Sequence, residues 1–326
     1  MLAAMPLLEV DELQVGFPLP RPRLWAAAPR LRAVAGLSLS LAAGETLGVV
    51  GESGCGKSTL LRALLGLETV DAGAIRFDGV DVTHARGAAL RTLRRGVQMV
   101  FQDPYGSLNP RLRAGQVLEE ALRANFKLTA AERLRRTAAL LERVGLGPAL
   151  KDRFPHELSG GQRQRLGIAR ALAVEPRLLL ADEPVSALDV SVQAQIINLF
   201  AELRRDLNLA CLFIAHDLAV VRHLCDRVAV MYLGRIVETG AAAAVYARPL
   251  HPYTRALLAA APEPVAGKRL ARAPLAGEPP SPAAPPPGCP FHPRCPLAVA
   301  RCRQERPELV PAADAPTHHA ACHVTG

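Results

Sequence analysis

Two hydrophobic periods take turns along this chain. Residues 6–17 alternate apolar and polar side chains closely enough to predict a strand that Phe17 closes, and residues 33–41 alternate again. Between them, residues 18–30 are rich in proline and arginine and predict an irregular loop. The turn at 42–45 leads into a short unbroken apolar run at 46–50, then a helix-like run at 59–65. Residues 73–77 followed by Asp78-Gly79 give a hairpin signal. Further apolar runs at 97–101, 177–183 and 211–216 predict buried strands; they end at Gln102, at Asp182-Glu183 and at His216. Apolar spacings of three and four predict helices over 116–145, 158–172 and 190–207. A last strand pair, 226–232 and 235–239, turns around Leu233-Gly234. Strands alternating with helices predict an α/β fold, a mainly parallel sheet with helices on both faces. From about residue 248 the texture changes. A short helix opens at His251, a proline-rich stretch at 278–287 excludes regular helix, and cysteine, histidine and proline dominate the end.

The apolar run at 46–50 and the helical run from Thr59 bracket Gly51-Glu52-Ser53-Gly54-Cys55-Gly56-Lys57-Ser58, of the form G-x-x-x-x-G-K-[ST]. That strand–loop–helix setting is what a phosphate-binding loop needs. Its glycines let backbone N–H groups turn towards a polyphosphate at a helix N-terminus, Lys57 reaches the β- and γ-phosphates, and Ser58 ligates Mg²⁺. In an open α/β sheet, ligands bind beyond the C-terminal strand ends, so Gly51, Gln102, Asp182, Glu183 and His216 are placed to converge on one nucleotide. Asp182 would hold Mg²⁺ through water, and Glu183 would act as the base for the attacking water or as its orienter. His216 would contact the γ-phosphate, and Gln102 would sense the γ-phosphate or the metal. Phe17 is either an ordinary core aromatic or a platform for adenine. Leu158-Ser159-Gly160-Gly161-Gln162 opens a helix with a good N-cap and bare N–H groups, a second anion site. One nucleotide does not need two, so this site is expected to complete that of a partner chain.

Composition changes little of this. The 326 residues suit one large domain with an appendage, or two domains, and half are apolar. The net charge of +9 comes mostly from arginine, with only four lysines, and no dense basic block carries interleaved aromatics. Nucleic-acid binding is therefore not expected. No signal peptide or membrane-spanning run is legible, which predicts an intracellular, soluble or peripheral protein.

The motifs together resemble the ATP-binding subunits of ABC transporters. The matching stretches are residues 51–58, Gln102, LSGGQ at 158–162, LLLADE at 178–183, SALD at 186–189 and His216, covering about 10–240 in family order. The resemblance implies a P-loop ABC ATPase domain over 1–247 with an antiparallel β subdomain and a helical subdomain at about 103–175. It implies two such domains sandwiching two ATPs head to tail, Ser159 and Gly161 of one touching the γ-phosphate held by the other, and Asp189 at the junction. FQDPYGSLNPR (101–111), residues 182–199, HPYTRALL (251–258) and the cysteine-bearing tail are similar to the oligopeptide/dipeptide importer branch, and residues 159–172 to its second ATPase subunit. Membership of that branch implies an ATPase at the cytoplasmic face of the cell membrane. Its expected partners are a homologous ATPase, two transmembrane permease subunits and, indirectly, an extracytoplasmic solute-binding protein. Residues 105–116 would meet the permease. Nickel or glutathione as cargo, and a non-transport ATPase of a soluble enzyme complex, are the alternatives.

Seven cysteines in an intracellular setting point to metal or reactive thiols rather than disulfides. Cys289, Cys295, Cys302 and Cys322, separated by five, six and nineteen residues, lie in an extension (248–326) expected to have no core of its own. Four thiolates suit a soft metal, Zn²⁺ or an iron–sulfur cluster. The missing C-x₂-C pairs favour [4Fe–4S], as does the resemblance. His292, His318, His319 and His323 are replacement ligands. Cys211 and Cys225 are expected to be structural, as is Cys55, whose alkylation would block nucleotide.

Overall fold

The unbroken apolar runs become strands in which every residue is buried, as a sheet covered on both faces requires. The structure, a computed structural model, describes residues 5–20, 30–215, 218–260 and 277–325. In chain order its strands are β1 Leu8–Pro18, β2 Arg30–Leu41, β3 Thr46–Val50, β4 Ala72–Phe77, β5 Val80–Asp81, β6 Val97–Val100, β7 Leu178–Asp182, β8 Ala210–Ala215, β9 Arg227–Tyr232, β10 Arg235–Ala241, β11 Val310–Ala312 and β12 Ala315–Ala320. Two units share them. One comprises residues up to 41, 46–84 and 215 onwards, the other 42–45 and 85–214.

In the first unit, β2, β1, β4 and β5 form an antiparallel sheet in that order. The alternation in β1 breaks between Val10 and Leu13, where the pairing shifts and Glu12 adopts φ +44°, a bulge that one-dimensional periodicity does not show. Separately, β3 lies parallel to β9, and β10, β12 and β11 continue from β9 in antiparallel fashion. In the second unit β6, β7 and β8 are parallel neighbours. Helices Ala114–Asn125, Ala130–Arg143 and Gly160–Leu172 belong to the same unit and bury Leu118, Leu122, Leu141, Leu166 and Ile168. The helices predicted over 116–145 are two, separated at 126–129, where Thr129 caps the second in a reciprocal box with Glu132.

The tail departs from expectation. Rather than a coreless segment, it adds strand β12 to the edge of β10, pairing Ala320 with Glu238 and His319 with Thr239. Leu250, Ala312 and Ala320 pack as a small apolar cluster. Phe291 packs against Tyr232, Tyr253 and His251, with ring centroids 5.4, 5.4 and 5.7 Å away. Aromatic burial therefore supplies this segment with a core.

Candidate functional site

The phosphate loop leaves buried β3 and enters helix Lys57–Leu64 through Gly56, at φ +108°. Close approach dictates Gly51 and Gly56. A Cβ at Gly51 would lie 2.1 Å from the Met231 carbonyl oxygen, and one at Gly56 2.0 Å from that of Ala33. Ser53 and Gly54 at the tip are exposed, and Ser58 and Thr59 half-buried. Lys57 is 5 % exposed, and its Nζ donates to the carbonyls of Gly51 (2.7 Å) and Glu52 (3.1 Å). A polyphosphate is the natural competitor for that ammonium, so the loop fits the anion predicted for it. Burial pushes the Cys55 thiol up, against the pull of Lys57. The thiol is 5 % exposed, and its burial slows alkylation there. Phe17 sits half-buried in β1 opposite Leu31.

In the second unit, Asp182 closes β7, and both it and Glu183 are 7 % exposed. Glu183 adopts φ +46°, a conformation that costs a non-glycine residue about 1–3 kcal/mol and is typically held at functional positions. Its N–H donates to the Ile214 carbonyl (3.2 Å), which anchors the turn. Gln102 Nε2 donates to Glu183 Oε2 (3.0 Å) and reaches Ser186 Oγ (3.4 Å). The structure thus joins two strand-end residues singled out in the sequence, and adds Ser186, which sequence reasoning left without a role. His216 lies outside the described residues.

Ser159 caps helix Gly160–Leu172 as predicted: its hydroxyl accepts from Gln162 N–H (3.3 Å), while Gln162 Oε1 accepts from Ser159 N–H (2.9 Å). Ser159 and Gly160 are exposed. Exposed Asp189 caps helix Val190–Leu207; the Val192 N–H, followed by the Ser191 hydroxyl, holds its carboxyl below the usual range.

The start of the C-terminal region is built on Glu238, which is fully buried. It accepts from the N–H groups of Leu250 and His251 (2.8 Å each), and His318 Nε2 stands 2.7 Å away. His251 Nδ1 accepts from Tyr253 N–H (3.1 Å), and burial pushes the imidazole down to about 4. The folded chain therefore resists a proton that the unfolded chain accepts near pH 6.5. The stability His251 contributes is complete above about pH 6.5 and falls by about 3 kcal/mol as pH drops towards 4. His251→Asn keeps an acceptor for Tyr253 but does not titrate. Urea melts at about pH 7.5 and about pH 5 are expected to separate less for this variant than for the unsubstituted protein, by about 2 kcal/mol. Equal separations would show that another group dominates.

Of the four tail thiols, Cys289 and Cys302 are buried, and Cys289 N–H donates to the Cys302 carbonyl (2.8 Å). Burial pushes Cys289 up, and the other three thiols add to that; burial, then Cys322 and Cys302, raise Cys295. The four are electrostatic neighbours. Among the described residues, however, no three His, Cys, Asp or Glu side chains are drawn together closely enough to hold a metal ion. The donor chemistry matches the expected cluster and the arrangement does not. No helix among the described residues is long and apolar enough to cross a membrane.

The family model described as "ABC transporter" matches residues 34–186, and that described as "Oligopeptide/dipeptide transporter, C-terminal region" matches 237–302. The chain is 54% identical over 319 residues to a probable peptide ABC transporter ATP-binding protein of Sinorhizobium fredii, covering 98% of this chain and 90% of that one. It is 49% identical to the oligopeptide transport ATP-binding protein AppF of Bacillus subtilis, covering 98% and 97%. Among solved structures, a dimeric ATP-binding cassette in a post-hydrolysis state with ADP and Pi matches 72% of this chain and 98% of its own, with 26% identity and a TM-score of 0.65.

Proposed function

The chain belongs to the ATP-binding proteins of ABC transporters, in the oligopeptide/dipeptide group, and on that premise we propose that it binds and hydrolyses ATP to energise import of short peptides. The observation that carries the peptide assignment is the C-terminal region, which has its own family match at 237–302 and is continuous with the relatives over nearly the whole chain.

In the proposed mechanism Lys57 exchanges the Gly51 and Glu52 carbonyls for nucleotide phosphates, and the N–H groups of residues 52–58 cradle the same oxygens. Phe17 provides an aromatic face for adenine. Ser58, Gln102 and Asp182 are the proposed ligands of Mg²⁺, which offsets phosphate charge when bound. Glu183, held by Gln102, accepts the proton of the attacking water, and His216 assists at the γ-phosphate. Exposed Ser159, Gly160 and Asp189, with Gly161 and Gln162, serve the nucleotide of a homologous ATPase paired with this chain. The ATPase domain is assigned to 1–247, its helical part to about 103–175, and the peptide-type extension to 248–326. Tyr105, 50 % exposed, presents an aromatic side chain from the start of the helical part, which suits docking of residues 105–116 against a permease subunit at the cytoplasmic face of the membrane. The four tail thiols are proposed ligands of an iron–sulfur cluster, with Zn²⁺ as the alternative; their soft donor chemistry supports this, and binding would have to draw them closer together than they stand here.

An anaerobic pull-down of tagged protein from membranes tests these assignments together. A homologous ATPase, two multi-span proteins and iron in stoichiometric amount are the expected result. Soluble enzymes alone would overturn transport, and an iron- and zinc-free complex would remove the cluster.

A further inference from the structure

Glu52, the second residue of the phosphate loop, has all its polar groups engaged. Its carbonyl accepts from Lys57 Nζ (3.1 Å). Its N–H donates to the Tyr253 hydroxyl (2.8 Å). Its carboxylate accepts two bonds from Arg294, at 2.7 and 2.9 Å. Two of these three partners come from the C-terminal region, one on each side of its proline-rich stretch. The Arg294 side chain is 4 % exposed and that of Glu52 25 %. A two-pronged guanidinium–carboxylate pair fixes both distance and orientation, which a lysine ammonium does not.

The surroundings leave the pair little freedom. Tyr232 and Tyr253 have ring centroids 4.6 Å apart, both rings pack on Phe291, and all three side chains are buried. Arg294 follows Phe291 within the turn His292–Arg294 and lies over its ring. Helix Pro252–Ala260 brings Tyr253, and buried Glu238 fixes the start of that helix through Leu250 and His251. The support behind Glu52 is therefore a buried aromatic cluster drawn from the end of β9 and from the C-terminal region, with Glu238 of β10 fixing the helix that carries Tyr253.

That support matters most when nucleotide arrives. Lys57 holds the first two carbonyls of the loop, and phosphate competes for the same ammonium. Once Lys57 turns away, residue 52 keeps the turn bond from Cys55 N–H (3.3 Å) within the loop itself, and is anchored to the rest of the fold by Tyr253 and Arg294. The next residues, Ser53 and Gly54, are exposed, and the Cβ direction of Gly54 meets no atom within 4 Å. Donors that stay aligned without their lysine bind phosphate without a fresh ordering cost.

We propose that Arg294, acting with Tyr253 through Glu52, is a positioning residue for the phosphate loop, so that the C-terminal region is a working part of the nucleotide site rather than an appendage. This rests on the ATP-binding reading above.

The test uses the purified full-length chain, a fluorescent ATP analogue with Mg²⁺ for equilibrium binding, and hydrolysis kinetics. Arg294→Met is expected to raise Kd and KM for nucleotide about 10-fold, with kcat changed less than about 2-fold, because ordering is lost and the chemistry is not. Arg294→Lys, which restores one charged contact, is expected to recover about half of that loss on a logarithmic scale. Glu52→Gln is expected to match Arg294→Met, and the double variant to be no worse than either, since both break one interaction. Folded Arg294→Met with Kd and KM unchanged, or additive losses in the double variant, overturns the inference. If Arg294→Met fails to fold, the Lys variant and the Glu52→Gln pairing decide the matter. An unsubstituted protein that binds no nucleotide would overturn the ATPase reading itself, a failure separate from any effect at Arg294.

Discussion

Glu183→Gln is expected to leave ATP binding intact and to slow hydrolysis by about 10²- to 10⁴-fold, the range a positioned general base contributes. The substitution keeps volume and shape in a site where the side chain is 7 % exposed and the backbone is held at φ +46°, so the fold has no reason to move. The amide oxygen can still accept from Gln102 Nε2, the bond now made at 3.0 Å. What is lost is the negative charge and with it proton acceptance. Phosphate release under saturating ATP, with nucleotide retention measured on the same preparation, checks it. Hydrolysis within a few-fold of the unsubstituted protein would remove Glu183 as the base and shift attention to the strand end at His216.

The second large effect is expected at Ser159→Arg, where hydrolysis should fall at least about 10²-fold while the isolated chain binds ATP as before. Ser159 is exposed at the head of a thirteen-residue helix whose opposite face is buried, so a bulky cation there faces outwards, towards the proposed partner's nucleotide. The replacement also removes the reciprocal cap with Gln162, worth about 1 kcal/mol. Ser159→Ala loses the same cap without adding bulk. The two effects separate if Ala retains most of the activity and Arg does not. Equal, mild losses in both would mean that Ser159 is a cap and nothing more.

Much of the site was legible because its chemistry is local. A loop that cradles phosphate must spell out its glycines, lysine and hydroxyl within eight residues, and Gly51 and Gly56 have backbone carbonyls where a side chain would stand. The Ser159 cap follows from a serine three residues before a glutamine. The pairing of Gln102 with Glu183 was readable one step less directly, from two buried strands that end there. What stayed hidden is long-range or irregular. The bulge at Glu12 depends on two partner strands, and β11 is three residues long with a proline at its centre, no pattern at all. The HPYTR stretch was visible as a marker of a branch. That its tyrosine holds the phosphate loop, and its histidine holds the tyrosine, is written only in three dimensions.

The pair between Glu52 and Arg294 joins residues 242 apart in sequence. During synthesis the phosphate loop leaves the ribosome early, while its guanidinium partner is still to be translated, roughly 10–50 s later at ordinary elongation rates. A nascent chain, or one cut short by a premature stop, carries the whole nucleotide-binding motif yet lacks the clamp that steadies it. On the positioning role proposed for Arg294, the order of translation is expected to act as a maturity check, with full affinity for nucleotide reached only after the segment that carries Arg294 has docked on the phosphate loop.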